Sequence, residues 1–104
     1  EAEHALQLRA SLVHFAARTL RRGGQEISLT AKELLLLKKL ADNRGRIVTF
    51  DGLCEAVWGD GYFGYENTLM VHMRRLREKI EEDPSHPRYL LTVRGLGYKL
   101  EGKG

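Results

Sequence analysis

The sequence predicts one α+β domain in which short antiparallel strands are followed by three helices and a C-terminal β-hairpin. Three observations predict it. Short apolar stretches at 6–8, 12–15, 19–20 and 27–29 are separated by turn-forming residues, as in small strands. From residue 31 the apolar residues recur with helical spacing, and this pattern is renewed twice. Beyond Pro84 and Pro87, two more strand-like runs at 89–93 and 98–100 flank the tight turn formed by Arg94, Gly95, Leu96 and Gly97.

Length and composition set the bounds. A chain of 104 residues suits one domain with a modest core. With 42% hydrophobic and 30% charged residues it has the balance of a globular protein, and no apolar run approaches the roughly 18 residues of a membrane span. Lys and Arg outnumber Asp and Glu by 17 to 14, and the isoelectric point near 9.2 is compatible with an anionic partner without requiring one. The single cysteine, Cys54, excludes an intramolecular disulfide and a multi-cysteine zinc site, and suits a reducing cytoplasm. No signal or transit peptide is visible. Because the chain opens at Glu1 with no nearby initiator methionine, the expectation is a piece of a longer protein.

In chain order, residues 6–29 read as small antiparallel strands, with Arg21, Arg22, Gly23 and Gly24 separating the last two and a hairpin at the glycine pair. Thr30 and Glu33 have capping-box spacing and predict a helix over 31–43. Leu34, Leu35, Leu36, Leu37 and Leu40 form an apolar arc too wide for one buried side, which suggests a helix packed between a sheet and other helices. Arg44, Gly45 and Arg46 interrupt it, and Ile47 and Val48 read as a short extended link. Thr49 is the N-cap of a second helix over 50–58, where Phe50, Leu53, Cys54 and Val57 make one core-facing stripe. The segment 59–65, rich in glycine and aromatic residues, reads as a turning surface loop.

The third helix, predicted over 66–82, carries the functional argument. At about 100° per residue, Leu69, Met73, Leu76 and Ile80 fall within a sector of roughly 60°, the buried stripe. Asn67, Thr68, Val71, Arg74, Arg75 and Glu78 lie opposite, flanked by Met70 and His72. A basic face mixed with small apolar groups fits the major groove of B-DNA, where Arg can make two hydrogen bonds to guanine and Val or Thr methyls can touch thymine methyl groups. The alternative is a solvated helix whose arginines pair with Glu66, Glu78 and Glu81. In the hairpin, Arg94 sits where a ribbon tip would enter a minor groove, the alternative being an ordinary exposed turn residue.

At this point the chain resembles the effector domain of OmpR/PhoB-type response regulators. The resemblance runs from about residue 12 to residue 100 through the segments SLTAKELLLL, LCEAVWG, NTLMVHMRRLREKI and PRYLLTVRGLGYKL, the last two being specific in that order. It implies a winged helix-turn-helix fold: an N-terminal antiparallel sheet, three helices with the third as recognition helix, and a β-hairpin wing. Residues 12–104 would form this domain, with 1–11 as linker remnant and first strand. The resemblance implies DNA contacts from Thr68, Val71, His72, Arg74, Arg75 and Arg77, and wing contacts made or supported by Thr92, Arg94, Gly95 and Tyr98. The loop containing Trp58, Asp60, Tyr62, Phe63 and Tyr65 corresponds to one that can touch RNA polymerase, the alternative being a packed connection whose aromatics cover the core. Met70 departs from the polar or acidic residue frequent at its position, which bears on base preference.

The implied function is sequence-specific binding of double-stranded DNA at tandem half-sites to control transcription. A sensor histidine kinase would act only through a receiver domain outside this chain, and the isolated domain is expected to be a cytoplasmic monomer with no cofactor. Two other classes compete. Catalysis lacks its parts: His4, His14, His72 and His86 show no metal-ligand spacing, no serine has a nucleophile context, and Cys54 falls on an apolar stripe. A protein-interaction winged helix would use the aromatic loop or third helix on a partner, and differs by lacking salt-dependent DNA affinity. RNA binding would require exposed aromatic rings on strands, for which only Tyr89 and Tyr98 are placed.

Overall fold

The computed structural model describes residues 5–8, 11–59 and 66–101, without the side chains of Glu66 and Asn67. Strands β1 (Ala5–Gln7), β2 (Ser11–His14), β3 (Thr19–Arg22) and β4 (Gln25–Ser28) form an antiparallel sheet in sequential order. Leu6, Val13, Leu20 and Ile27 pair in register across it. Directly opposed residues share a face, so this row is the apolar side of the sheet; Leu6, Val13 and Leu20 are buried and Ile27 packs against them. Arg21 and Arg22, expected to separate two strands, instead belong to β3 and pair with Glu26 and Gln25. The turn is Gly23 and Gly24 alone, with φ of 56° and 84°, because a two-residue hairpin loop of this kind needs positive φ at both positions.

Helix α1 (Ala31–Asp42) starts at the predicted capping box: the Glu33 amide donates to the Thr30 hydroxyl and the Thr30 amide to the Glu33 carboxylate. Leu36, Leu37 and Leu40 are fully buried and Leu34 packs at their edge. Leu35 is 44% exposed, so the apolar arc exceeds the buried one by that residue. The helix packs on α2 (Phe50–Trp58) and α3 (Glu66–Ile80) as well as on the last C-terminal strand. Thr49 caps α2, whose Leu53 and Cys54 are buried.

The link at Ile47 and Val48 is a strand, β5 (Ile47–Thr49), that joins β6 (Leu90–Val93) and β7 (Gly97–Leu100) in a three-stranded sheet of order β5-β7-β6. The expected β6–β7 hairpin is present, and β5 adds a third strand alongside β7. Gly97 is the reason β5 can come so close: a Cβ there would run into the Val48 carbonyl and lie 2.8 Å from the Thr49 Cα. Helix α3 also stops two residues short of the predicted end. Glu81, just beyond it, turns its carboxylate to the start of β6 instead.

Candidate nucleic-acid interface

The interface is built on α3, whose inner stripe of Leu69, Met73, Leu76 and Ile80 is at most 1% exposed. Its C-terminal end is fixed from two sides. Arg22 of β3 donates through Nη1 to the carbonyls of Lys79 and Glu81, each at 3.0 Å, placing a cation where a helix leaves its last carbonyls unpaired. Lys79 in turn donates through Nζ to the Ser28 carbonyl at 2.9 Å and to Glu33 Oε1 at 2.7 Å. Glu33 is 1% exposed, so one carboxylate both caps α1 and fastens α3, and loss of Lys79 would strand a buried charge.

A second set of bonds fixes the wing to α3. Arg77 donates through Nε to the Leu90 carbonyl and through Nη2 to the Thr92 hydroxyl, and its guanidinium lies 5.5 Å from the centroid of the Tyr98 ring. The carboxylate of Glu81 accepts from the amides of Arg88, Tyr89 and Leu90 at 2.7, 2.9 and 2.8 Å. At the far side of the hairpin, the Phe50 amide donates to the Leu96 carbonyl, and the Phe50 and Tyr98 rings meet edge to face at 5.7 Å. Helix α3, the residue that follows it and the hairpin are therefore tied together at several points.

What this framework leaves outward is a basic face. Thr68, Val71, Arg74, Arg75 and Glu78 are exposed, and among the described residues no carboxylate pairs with Arg74 or Arg75. The pairing alternative weakens further because Glu81 is committed to backbone amides. His72 is half-buried beside Trp58, with ring centroids 6.0 Å apart. Burial, then Lys32 and Arg75, hold its pKa below the usual 6.5, against an opposing pull from Glu33, so its resting form near neutral pH is uncharged.

On the wing, Arg94 and Gly95 are exposed at the turn, with Gly95 at φ 76°. Thr92 is exposed but its hydroxyl is taken by Arg77. Tyr98 is 5% exposed and Tyr89 4%; both pack inward, and neither offers a ring face to an unstacked base. Burial raises the Tyr98 phenol above its usual pKa, with Arg77 opposing. Of the loop residues, Trp58 is half-buried, while Asp60, Tyr62, Phe63 and Tyr65 lie outside the described residues. Arg22, Glu81 and the third wing strand were missed at the level of sequence, since each acts through partners seven or more residues away or through a strand of three residues.

An antiparallel sheet, three helices with the third presenting a basic face, and a hairpin bonded to that third helix together define a winged-helix domain. The family of C-terminal domains of transcriptional regulatory proteins matches residues 24–100, and the chain belongs to it. Over 79 residues the chain is 56% identical to the sensory transduction protein RegX3 of Mycolicibacterium smegmatis and 54% identical to RegX3 of Mycobacterium tuberculosis. The match covers 76% of this chain and 35% of each relative, so the chain spans about a third of their length. Response regulator DrrB of Thermotoga maritima, an OmpR/PhoB homolog, superposes with a TM-score of 0.82 at 31% identity, covering 95% of this chain and 45% of that one. The DNA-binding domain of RstA from Klebsiella pneumoniae, solved in complex with RstA box, gives 0.79 at 26% identity, covering 94% and 97%. The chain is thus an OmpR/PhoB-type output domain of the two-component transcriptional regulators, a class that is not catalytic.

Proposed function

We propose that this domain binds double-stranded DNA sequence-specifically by laying α3 in a major groove while the wing turn reaches the adjacent minor groove. The observation that carries the reading is the exposed pair Arg74 and Arg75, with which no carboxylate pairs among the described residues, on a helix whose other side is buried. Arg75, with Thr68 and Val71 on the same stripe (Thr68, Val71 and Arg75 at i, i+3 and i+7), reads bases. Arg74 and His72 contact phosphates and set the register. Arg77 positions the wing, leaving Nη1 for a phosphate oxygen. Arg94, beside Gly95, enters the minor groove, where the potential favours arginine, and Thr92 and Tyr98 support that turn.

The whole protein is read as a cytoplasmic response regulator. That the match covers only 35% of each relative supports a receiver domain outside this chain, through which a sensor histidine kinase acts and two copies pair on tandem half-sites. The domain alone is then a monomer with weak half-site affinity. Contact of the 58–65 loop with RNA polymerase rests on the family resemblance.

Affinity for duplex DNA measured against salt tests the reading. Its logarithm should fall linearly with log salt, with a slope of about −0.9 per phosphate neutralised. Affinity for DNA that is absent, or indifferent to salt, would favour a protein partner.

A further inference from the structure

Of the described side chains that α3 turns outward, two neither carry charge nor donate a hydrogen bond. Met70 is 56% exposed and Val71 46%. They are adjacent in the chain, on a face that also presents Thr68, Arg74, Arg75 and Glu78. Met70 stands apart from the core stripe. It lines, with Val71 and Arg74, a groove of about 330 Å³ between α3 and the wing that Arg77 and Tyr98 also border. Side chains three and four apart are neighbours on a helix, so Met70 adjoins Arg74 and, one turn further, the wing brace Arg77. Val71 adjoins Arg74 and Arg75. The two apolar groups therefore front adjacent strips of one face, Met70 nearer the wing.

In the major groove the base edges present hydrogen-bond donors and acceptors, and one apolar feature, the C5 methyl group of thymine. Met70 has no donor and only a weak thioether acceptor, so the edges of guanine, adenine and cytosine offer it nothing to satisfy. An unbranched side chain with three rotatable bonds reaches further than valine and adapts its shape to what it meets.

We propose that Met70 is a specificity-determining residue that reads the 5-methyl group of a pyrimidine, at a base pair on the wing side of the one Val71 contacts. This rests on the reading that α3 occupies the major groove. What is recognised is the methyl group: thymine and 5-methylcytosine present it, uracil and unmethylated cytosine do not.

The test uses a duplex selected by the wild-type domain, in which each thymine is replaced in turn by uracil. Affinities are measured for the wild type and for Met70→Ala, Met70→Leu and Val71→Ala. At one thymine the loss of its methyl group should weaken wild-type binding about fourfold, the factor for one methyl-sized group removed from water. That sensitivity should vanish in Met70→Ala and persist in Met70→Leu and Val71→Ala. At the same position, a cytosine opposite guanine should bind better when 5-methylated, in the wild type and not in Met70→Ala. Since Met70 is exposed, unchanged thermal melting of Met70→Ala should accompany these results. The inference is overturned if Met70→Ala stays sensitive at every thymine the wild type senses, or if it weakens thymine and uracil duplexes alike. A wild-type domain that binds no selected duplex overturns the DNA-binding reading itself, a separate result.

Discussion

The Arg77 guanidinium donates to the Thr92 hydroxyl at 2.6 Å, a bond that joins the recognition helix directly to the wing. With the bond to the Leu90 carbonyl it makes a two-pronged grip from two separate nitrogens, Nε and Nη2, a spacing fixed in a planar guanidinium and not reproduced by the single nitrogen of an ammonium. Arg77→Ala should therefore cost roughly 1–2 kcal/mol of stability and weaken binding to specific and random duplexes alike. Arg77→Lys should restore charge but not stability. Urea denaturation alongside DNA titration checks this, and full recovery by lysine would reduce Arg77 to a phosphate contact.

Glu81 makes the heavier structural contribution. Its buried carboxylate accepts from three consecutive amides, and bonds to a charged acceptor are worth more than neutral ones. Glu81→Ala leaves these donors unpaired and should cost about 3 kcal/mol or more, with Glu81→Gln in between. Chemical denaturation at neutral pH gives the ranking; equal stability of all three proteins would show that water replaces the carboxylate.

Gly97 is closed to any side chain because β5 occupies the space. Gly97→Ala should cost roughly 3 kcal/mol, as expected when a packed site is overfilled, while Gly95→Ala, which meets no neighbouring atom, should cost less and through its positive φ alone. The difference in melting temperature between the two variants checks the assignment.

His72 predicts a pH dependence whose sign follows from its lowered pKa. On acidification the unfolded chain takes up a proton at the ordinary value of 6.5 before the folded one does. The neutral-histidine contribution to stability is therefore full above that value and is lost as pH falls through 6.5 toward the lower folded pKa. Between pH 7 and 5 the wild type should lose more stability than His72→Gln. Asp83, whose pKa is lowered chiefly by a hydrogen bond from the Ser85 hydroxyl, keeps its contribution throughout this window and loses it only as pH falls below the ordinary carboxylate range. If His72 meets a phosphate, DNA affinity should rise on acidification in the wild type and not in His72→Gln; parallel curves would place it away from the backbone.

Much of this fold was legible because its signals are local. The Thr30 and Glu33 capping box and the glycine pair at 23–24 each act within one turn, and the four-residue stripe of α3 repeats at helical spacing within a single element. The errors share a cause as well. Ile47 and Val48 are too few to announce a strand, and β5 exists because Gly97, far along the chain, leaves room for it. Leu35 has the hydrophobicity of its neighbours but not their direction. The site was legible as a basic face, since Arg74 and Arg75 stand opposite the core stripe. That Arg77, equally basic, is turned to the wing depends on Leu90 and Thr92, which sequence spacing cannot place.

Selection of binding sites from a random duplex pool, followed by titration of wild type and Arg75→Ala on the winning site and on random DNA, tests the central claim most directly. A short direct repeat with half-sites about one helical turn apart should be enriched. Arg75→Ala should lose about 1–3 kcal/mol on the selected site and much less on random DNA, with relaxed preference at one or two positions. Equal losses on both duplexes, or a folded domain that enriches no sequence, would contradict base reading by α3.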